Sequence, residues 1–131
     1  MKPLKMLTVV LLGAGTFASA ASVTSAVKTE INQLARQYTG RPCLSNGEYG
    51  LDTEPFGRKV SPSELRTARD ILYRQLLEGF DQSARKNHFT YEVRYNQNRV
   101  WVWAKAPNSS RQYFTFATLS PTGIRMVSCL Q

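Results

Sequence analysis

A histidine and a carboxylate, His88 and Glu92, lie four positions apart in a segment that alternates polar and apolar side chains. In a β-strand both side chains would point to the same face, about 13 Å apart at the usual rise per residue. With Arg94 nearby to hold a phosphate, such a pair could act as general acid and base in phosphodiester cleavage. The separation is long for concerted proton transfer, so a small nuclease-like hydrolase is the alternative interpretation and not the expected function.

No other catalytic or metal-binding pattern is present in the sequence. Gly-x-Ser-x-Gly, a glycine-rich phosphate loop and His-Glu-x-x-His are all missing. A zinc site needs about four Cys or His ligands, whereas the chain contains two cysteines and one histidine. Asn46, Glu48, Asp52 and Glu54 carry oxygen ligands, but their spacing is not that of an EF-hand loop. We therefore expect neither a metal nor a cofactor, and we favour a binding protein over an enzyme.

The strands that would position His88 and Glu92 are indicated by a period of two in the C-terminal part of the chain. Turn sequences rich in Asn, Pro, Ser and Gly separate them. The predicted strands are residues 88–95, 99–106, 111–118 and 124–129. Because the connections are short, we predict that consecutive strands pair as a four-stranded antiparallel meander.

Turn lengths predict which face of this sheet is apolar. Four-residue turns at 107–110 and 120–123 place Trp101 and Trp103 opposite phenylalanines of the next strand, in a continuous apolar row. The opposite face would be polar, with small residues on its middle strand. That polar face would carry the candidate site residues His88, Glu92, Arg94, Arg111 and Tyr113.

The first hairpin has two possible registers. A three-residue turn at 96–98 directs the aromatic side chains of the first strand toward Trp101 and Trp103. A two-residue turn would place Arg94 against Trp101 and leave the tryptophans on a polar, basic face of the kind that stacks single-stranded bases. We predict the three-residue turn, because it makes all four strands agree on one apolar face.

Two helices precede the strands. Residues 25–38 carry apolar side chains at helical spacing, and Gly40 is a typical helix terminator. The second helix is predicted to start with Ser61 as N-cap, Pro62 in the first helical position and Glu64 completing a capping box, and to end near residue 85. We expect both helices to pack on the single apolar face of the sheet.

The two cysteines, Cys43 and Cys129, are predicted to form a disulfide that closes nearly the whole domain. In the chain-entropy model such a loop stabilises the fold by roughly 4 to 5 kcal/mol. Residues 43–60 begin at the first cysteine and contain three glycines, one proline and one asparagine. They are predicted to form an ordered loop, or at most a short hairpin.

The N-terminal segment is typical of an export signal. Residues 1–20 contain Lys2 and Lys5, then an apolar run, then Ala-Ser-Ala, which is a pattern that signal peptidase accepts. The apolar run is shorter than the roughly 20 residues that span a bilayer. We therefore predict a cleaved signal peptide, a single domain over residues 21–131, no membrane span in the mature chain, and a secreted or periplasmic location.

The chain is basic, with 17 Lys and Arg residues against 9 Asp and Glu residues and a net charge of +8. On the second helix, basic and acidic residues alternate at intervals of four, so we expect a locally neutralised, solvated face there. Basic residues in or near loops remain as candidate contacts, namely Arg36, Arg41, Arg58 and Lys59. The excess positive charge favours an anionic partner.

These observations predict an exported, non-catalytic binding module whose partner is an envelope or extracellular protein, or an anionic polymer such as nucleic acid. The candidate contacts are Arg94, Arg111 and Tyr113 on the polar sheet face, together with Arg58 and Lys59. Another alternative is an exported inhibitor or assembly factor that binds its partner through the loop at 44–60.

Overall fold

The computed structural model describes residues 23–43 and 47–131. The described chain forms α1 (Ser25–Thr39), β1 (Glu48–Pro55), α2 (Pro62–Asn87), β2 (Thr90–Asn96), β3 (Arg99–Lys105), β4 (Gln112–Ser120) and β5 (Gly123–Leu130). The fold class is α+β, as predicted. The predicted signal peptide at residues 1–20 lies outside the described residues. Within the described ranges, no helix is long and apolar enough to cross a membrane.

The sheet has five antiparallel strands in the order β1-β5-β4-β3-β2, instead of the predicted four. The additional strand is β1, which comes from the segment predicted as a loop or short hairpin. Gly50 and Pro55 obscure its strand pattern in the sequence, but its backbone pairs with β5 along its whole length. Gly123 permits the close approach of the two strands, because a Cβ there would lie 2.6 Å from the Glu54 carbonyl oxygen.

The two helices cover opposite faces of the sheet, so the prediction that both pack on one face is wrong. α2 covers the face that carries Val100, Val102 and Ala104, and α1 covers the face that carries Trp101 and Trp103. The small residues of β3 suggested an open, shallow floor. They instead make room for α2, and β3 is buried on both sides along its centre.

The first hairpin turns through two residues, Gln97 and Asn98, so the predicted three-residue turn is wrong. Gln97 adopts a left-handed φ of 54°, which allows the chain to reverse over two residues. Arg94 therefore lies opposite Trp101. Both tryptophans are nevertheless buried, with 7% and 9% of their surface exposed, because α1 packs on them. The base-stacking platform that this register suggested does not form.

The registers of the two later hairpins and the disulfide are as predicted. Phe114 lies opposite Trp103 on one side and opposite Cys129 on the other. Cys129 is fully buried and is bonded to Cys43, with 6.4 Å between the two Cα atoms. The disulfide therefore ties the segment after α1 to β5, within the core that α1 covers.

The predicted end of α1 and the predicted start of α2 are both observed. Gly40 terminates α1 with a left-handed φ of 72°. At the start of α2, the Ser61 side chain accepts a hydrogen bond from the Glu64 N–H, and the Glu64 carboxylate accepts one from the Ser61 N–H. This completes the predicted capping box. α2 continues to Asn87, beyond the predicted end near residue 85, and this extension moves His88 out of the following strand.

Candidate functional site

His88 and Glu92 were predicted to lie on one strand face, but the structure does not place them there. His88 caps the C-terminus of α2 with φ 58° and ψ 40°, and its N–H donates to the Ala84 carbonyl oxygen at 2.7 Å. β2 begins only at Thr90. Glu92 lies within β2, where its carboxylate forms an ion pair with Arg94 at 3.6 Å. The shared strand face on which the alternative hydrolase hypothesis depended is therefore not formed.

The predicted polar face is divided between the two sides of the sheet. Tyr113 lies on the α2 side, opposite Ala104, and Phe80 stacks on its ring with 6.1 Å between centroids and 23° between planes. Glu92 and Arg94 lie on the other side, opposite the two tryptophans, and both are exposed. The division follows from the two-residue turn, since a shift of one residue exchanges the faces of β2.

Tyr113 is a wall residue beneath α2 and not the exposed contact that was predicted. Its hydroxyl oxygen is buried. Burial raises the pKa of Tyr113 well above the usual range of a phenol, and a hydrogen bond with Thr115 opposes part of this effect. The phenol is therefore neutral at physiological pH, and the part of Tyr113 that a ligand could contact is its ring.

Arg58 and Lys59 lie at the start of α2, near the β4–β5 turn, where the Val60 N–H donates to the Pro121 carbonyl oxygen. Arg58 forms an ion pair with Glu64 of the capping box. The pKa of Glu64 is lowered from 4.5 to about 2, mainly by the hydrogen bond from the Arg58 guanidinium and secondly by the hydrogen bond from the Ser61 backbone N–H. The charge of Arg58 is thus neutralised locally, which makes it a weaker candidate for binding an anion.

Replacing Arg58 with alanine is expected to raise the pKa of Glu64 from about 2 toward 4.5, because the main cause of the lowering is removed. A pH titration followed by carboxyl-carbon NMR measures this change. A carboxylate with a lowered folded-state pKa stabilises the fold above its unfolded pKa, and this contribution is lost as the pH falls from 4.5 through about 2. The substituted protein should lose less stability over that range than the wild type. An unchanged Glu64 pKa would contradict the assigned pairing.

Three cations gather at the other end of the sheet, around the β3–β4 turn. The Arg41 guanidinium lies 4.4 Å from the centre of the Trp103 ring, and its Nη1 donates to the Gln112 side-chain oxygen at 3.4 Å. Trp103 Nε1 donates to the same oxygen at 2.6 Å. Lys105 is the cross-strand partner of Gln112, and Arg111 precedes Gln112 in the chain. We call Arg41, Lys105 and Arg111, with Gln112 between them, the basic end.

The basic end is distinguished by three cations that lie at one end of the sheet around a shared neighbour, Gln112. Five Arg–carboxylate ion pairs occur elsewhere in the described ranges: Arg58–Glu64, Arg69–Asp70, Arg85–Asp81, Arg94–Glu92 and Arg125–Glu30. None of the three cations of the basic end forms a salt bridge within the described part of the chain. Positive potential is therefore expected to concentrate at this end.

A cleft of about 340 Å³ opens between the C-terminal half of α2 and the same end of the sheet. Its helical wall includes Leu76, Gly79 and Phe80, and its sheet wall includes Ala104, Tyr113 and Leu130. The charged residues that line it within the described chain are Lys105 and Arg111, both basic. We call this opening the α2 cleft.

A shallower groove runs along the exposed edge of β2, past Glu92, Arg94 and Tyr95. Tyr95 is a large apolar residue with 48% of its surface exposed. The Arg69 guanidinium lies 4.8 Å from the centre of its ring. Glu92 and Arg94 neutralise each other in this groove. Paired charges on an edge strand are a common means of discouraging pairing with another chain, so the groove makes a weaker case for a site than the basic end.

Sequence reasoning identified Arg41 and Arg111 separately but missed Lys105 and Gln112. Lys105 and Gln112 flank the β3–β4 turn, and residues that flank a hairpin turn meet at one end of a sheet. The predicted hairpin therefore contained the signal for this pair. The position of Arg41 depends on the path of the chain from α1 to the disulfide, which the sequence pattern does not show.

Comparison with protein-family models, with curated proteins and with solved structures gives no match. Evidence for function therefore comes from the geometry of this chain. That geometry gives the basic end and the α2 cleft as the two features with ligand-binding character.

Proposed function

We propose that this chain is an exported, non-catalytic binding module whose ligand is an anionic polymer that contacts the basic end. The observation that carries the proposal is the convergence of Arg41, Lys105 and Arg111 at one end of the sheet, without a paired carboxylate among the described residues. Phosphate, sulfate and carboxylate groups repeated along a polymer would each find a cation there.

The environment of Arg41 supports a preformed site. Its guanidinium lies against the Trp103 ring and bonds to Gln112, which is itself fixed by the Trp103 indole N–H. A side chain that is already held in place loses less conformational entropy when it binds a ligand. Arginine also retains free donors for an anion while one face of its guanidinium rests on an aromatic ring.

One further observation favours binding over catalysis, and another favours export from the cytoplasm. His88 serves as a helix cap and Glu92 as an ion-pair partner, so neither is arranged for joint proton transfer. The Cys43–Cys129 disulfide is of the kind that persists in oxidising compartments. This agrees with the export signal predicted for residues 1–20.

Replacing Arg41, Lys105 and Arg111 together with glutamine is expected to weaken binding of a heparin-derived oligosaccharide at low salt by at least about tenfold. Each lost contact removes an ionic interaction with the polymer. The slope of log Kd against the logarithm of the salt concentration should therefore decrease by up to about three. Isothermal titration calorimetry at several salt concentrations measures both quantities. Circular dichroism and thermal melting establish that the substituted protein is folded.

The matched control replaces Lys59, Arg66 and Arg74, three exposed cations at and along α2, and so removes the same net charge. It should lower affinity by less than about threefold, because only long-range attraction changes. Equal losses in both triple variants would show that binding follows net charge and not the basic end. If the wild-type protein does not bind the oligosaccharide even at low salt, the polymer proposal is wrong.

A further inference from the structure

We infer that the α2 cleft is a second binding site, which takes a small anionic amphiphile with its apolar body between α2 and the sheet and its head group at Arg111. The cleft shares Lys105 and Arg111 with the basic end, but its apolar walls and its class of ligand are different, so a small amphiphile can bind there whether or not a polymer binds the basic end. It is carried by the shape of the cleft, its aromatic and aliphatic walls, and the sign of the charges at its rim.

The interior of the cleft is suited to an apolar group. Phe80 of α2 lies between two aromatic neighbours, with ring centroids 6.1 Å from Tyr113 and 6.3 Å from Phe89. Leu76 and Leu130 add aliphatic surface at the two walls. Its volume of about 340 Å³ lies at the small end of the range for ligand pockets, so the body must be short.

Gly79 supplies part of the space. It lies within α2 and lines the cleft on the helical side. Glycine in a helix interior is less favourable than alanine by about 1 kcal/mol, so its presence here needs a reason. The missing side chain leaves the helix backbone as the wall, and the cleft gains the room that a larger residue would fill.

The rim selects an anion. Arg111 and Lys105 are the charged residues that line the cleft, and no carboxylate belongs to its described lining. The Arg111 Nε donates to the Gln131 carbonyl oxygen at 3.3 Å, which anchors the guanidinium by one nitrogen. Its two terminal nitrogens can then form a paired hydrogen bond with a carboxylate. Ser83 and Asn87 provide neutral polar groups on the helical side.

The test uses two eight-carbon probes of opposite charge, octanoate and octylammonium, titrated into the full chain by calorimetry. Octanoate is expected to bind and octylammonium to bind at least about tenfold more weakly, because the rim repels a cation. If the two probes bind equally, or if octanoate does not bind, the inference is overturned. Failure of octanoate to bind leaves the polymer proposal standing, because the heparin titration uses a different ligand and also reports Arg41, which does not line the cleft.

Two substitutions locate the bound octanoate. Gly79→Leu is expected to fill the cleft and to weaken octanoate binding at least about tenfold, while Gln82→Leu on the exposed side of the same helix leaves it unchanged. Arg111→Gln should weaken octanoate binding by about threefold to tenfold and reduce the preference over octylammonium. Unchanged octanoate affinity in Gly79→Leu would overturn the inference. If that variant does not fold, Ala106→Trp at the mouth of the cleft serves in its place, with the same expected loss.

Discussion

Replacing Trp101 with alanine is expected to lower the free energy of unfolding by about 3 to 5 kcal/mol. Its ring is 7% exposed and lies 4.3 Å, centroid to centroid, from Tyr38 of α1. Phe116, the cross-strand partner of Trp101, is fully buried beside it. Truncation would remove the contact of the Trp101 ring with Tyr38 and leave a cavity that a rigid β-strand cannot close.

Tyr95→Ala provides the control for this prediction, because it truncates an aromatic residue of the same hairpin that is 48% exposed. Tyr95 contacts Tyr73 and Arg69 at the surface, so its loss should destabilise the fold by only about 1 kcal/mol. Urea denaturation of both variants gives the comparison. Equal destabilisation by the two substitutions would mean that α1 does not cover Trp101, and the base-stacking interpretation would regain support.

Removing the disulfide is expected to have an effect of similar size. Cys43 and Cys129 are separated by 86 positions, and closing a loop of that length stabilises a fold by roughly 4 to 5 kcal/mol in the chain-entropy model. A variant with both cysteines replaced by alanine should show this loss in urea denaturation. Wild-type protein melted in the presence of a reductant should approach the same stability, which separates loss of the bond from loss of the cysteine side chains.

When the disulfide is removed, the loss of stability should appear first in β1. The segment that leads into β1 packs on the disulfide, since a Cβ at Gly47 would lie 3.1 Å from the Cys129 sulfur. β1 is also an outer strand of the sheet, paired on one side only, with β5. Hydrogen exchange in the reduced protein should therefore accelerate in β1 before β3 and β4. Uniform acceleration across the sheet, or no change in stability, would contradict this account.

Local signals in the sequence predicted the helices and most of the strand pairing. Ser61 and Glu64 form their capping box and Gly40 ends α1, because these features depend only on neighbouring residues. The β3–β4 and β4–β5 registers followed from turn length and aromatic alternation. The disulfide was predicted because the chain has two cysteines and a segment that resembles an export signal.

The errors arose where distant contacts decide the structure. β1 has glycine, proline and few β-formers, and it is a strand because β5 offers a partner and the disulfide holds it there. The polar residues of the first hairpin suggested a sheet with one solvent-exposed face. The structure instead buries Val100 and Val102 beneath α2, because strands that are apolar on both sides need cover on both sides.

The surroundings of the candidate site residues were predicted only in part. Arg111 was predicted to lie on an open polar sheet face, whereas in the structure it borders a cleft. Tyr113 shares its side of the sheet, but its hydroxyl is buried. Arg58 is neutralised by Glu64, a pairing across six positions that no helical or strand period indicates. Charge in a sequence gives the number of cations, whereas the fold decides which of them remain unpaired.

The most direct test of the proposed function is an NMR titration of isotope-labelled protein with the heparin-derived oligosaccharide. The account predicts that the largest amide shift changes fall at Arg41, Lys105, Arg111 and Gln112, with little change at Arg58, Lys59 or the outer face of α2. Maximal shift changes at Arg58 and Lys59, or changes spread evenly over all exposed cations, would contradict the assignment of ligand binding to the basic end.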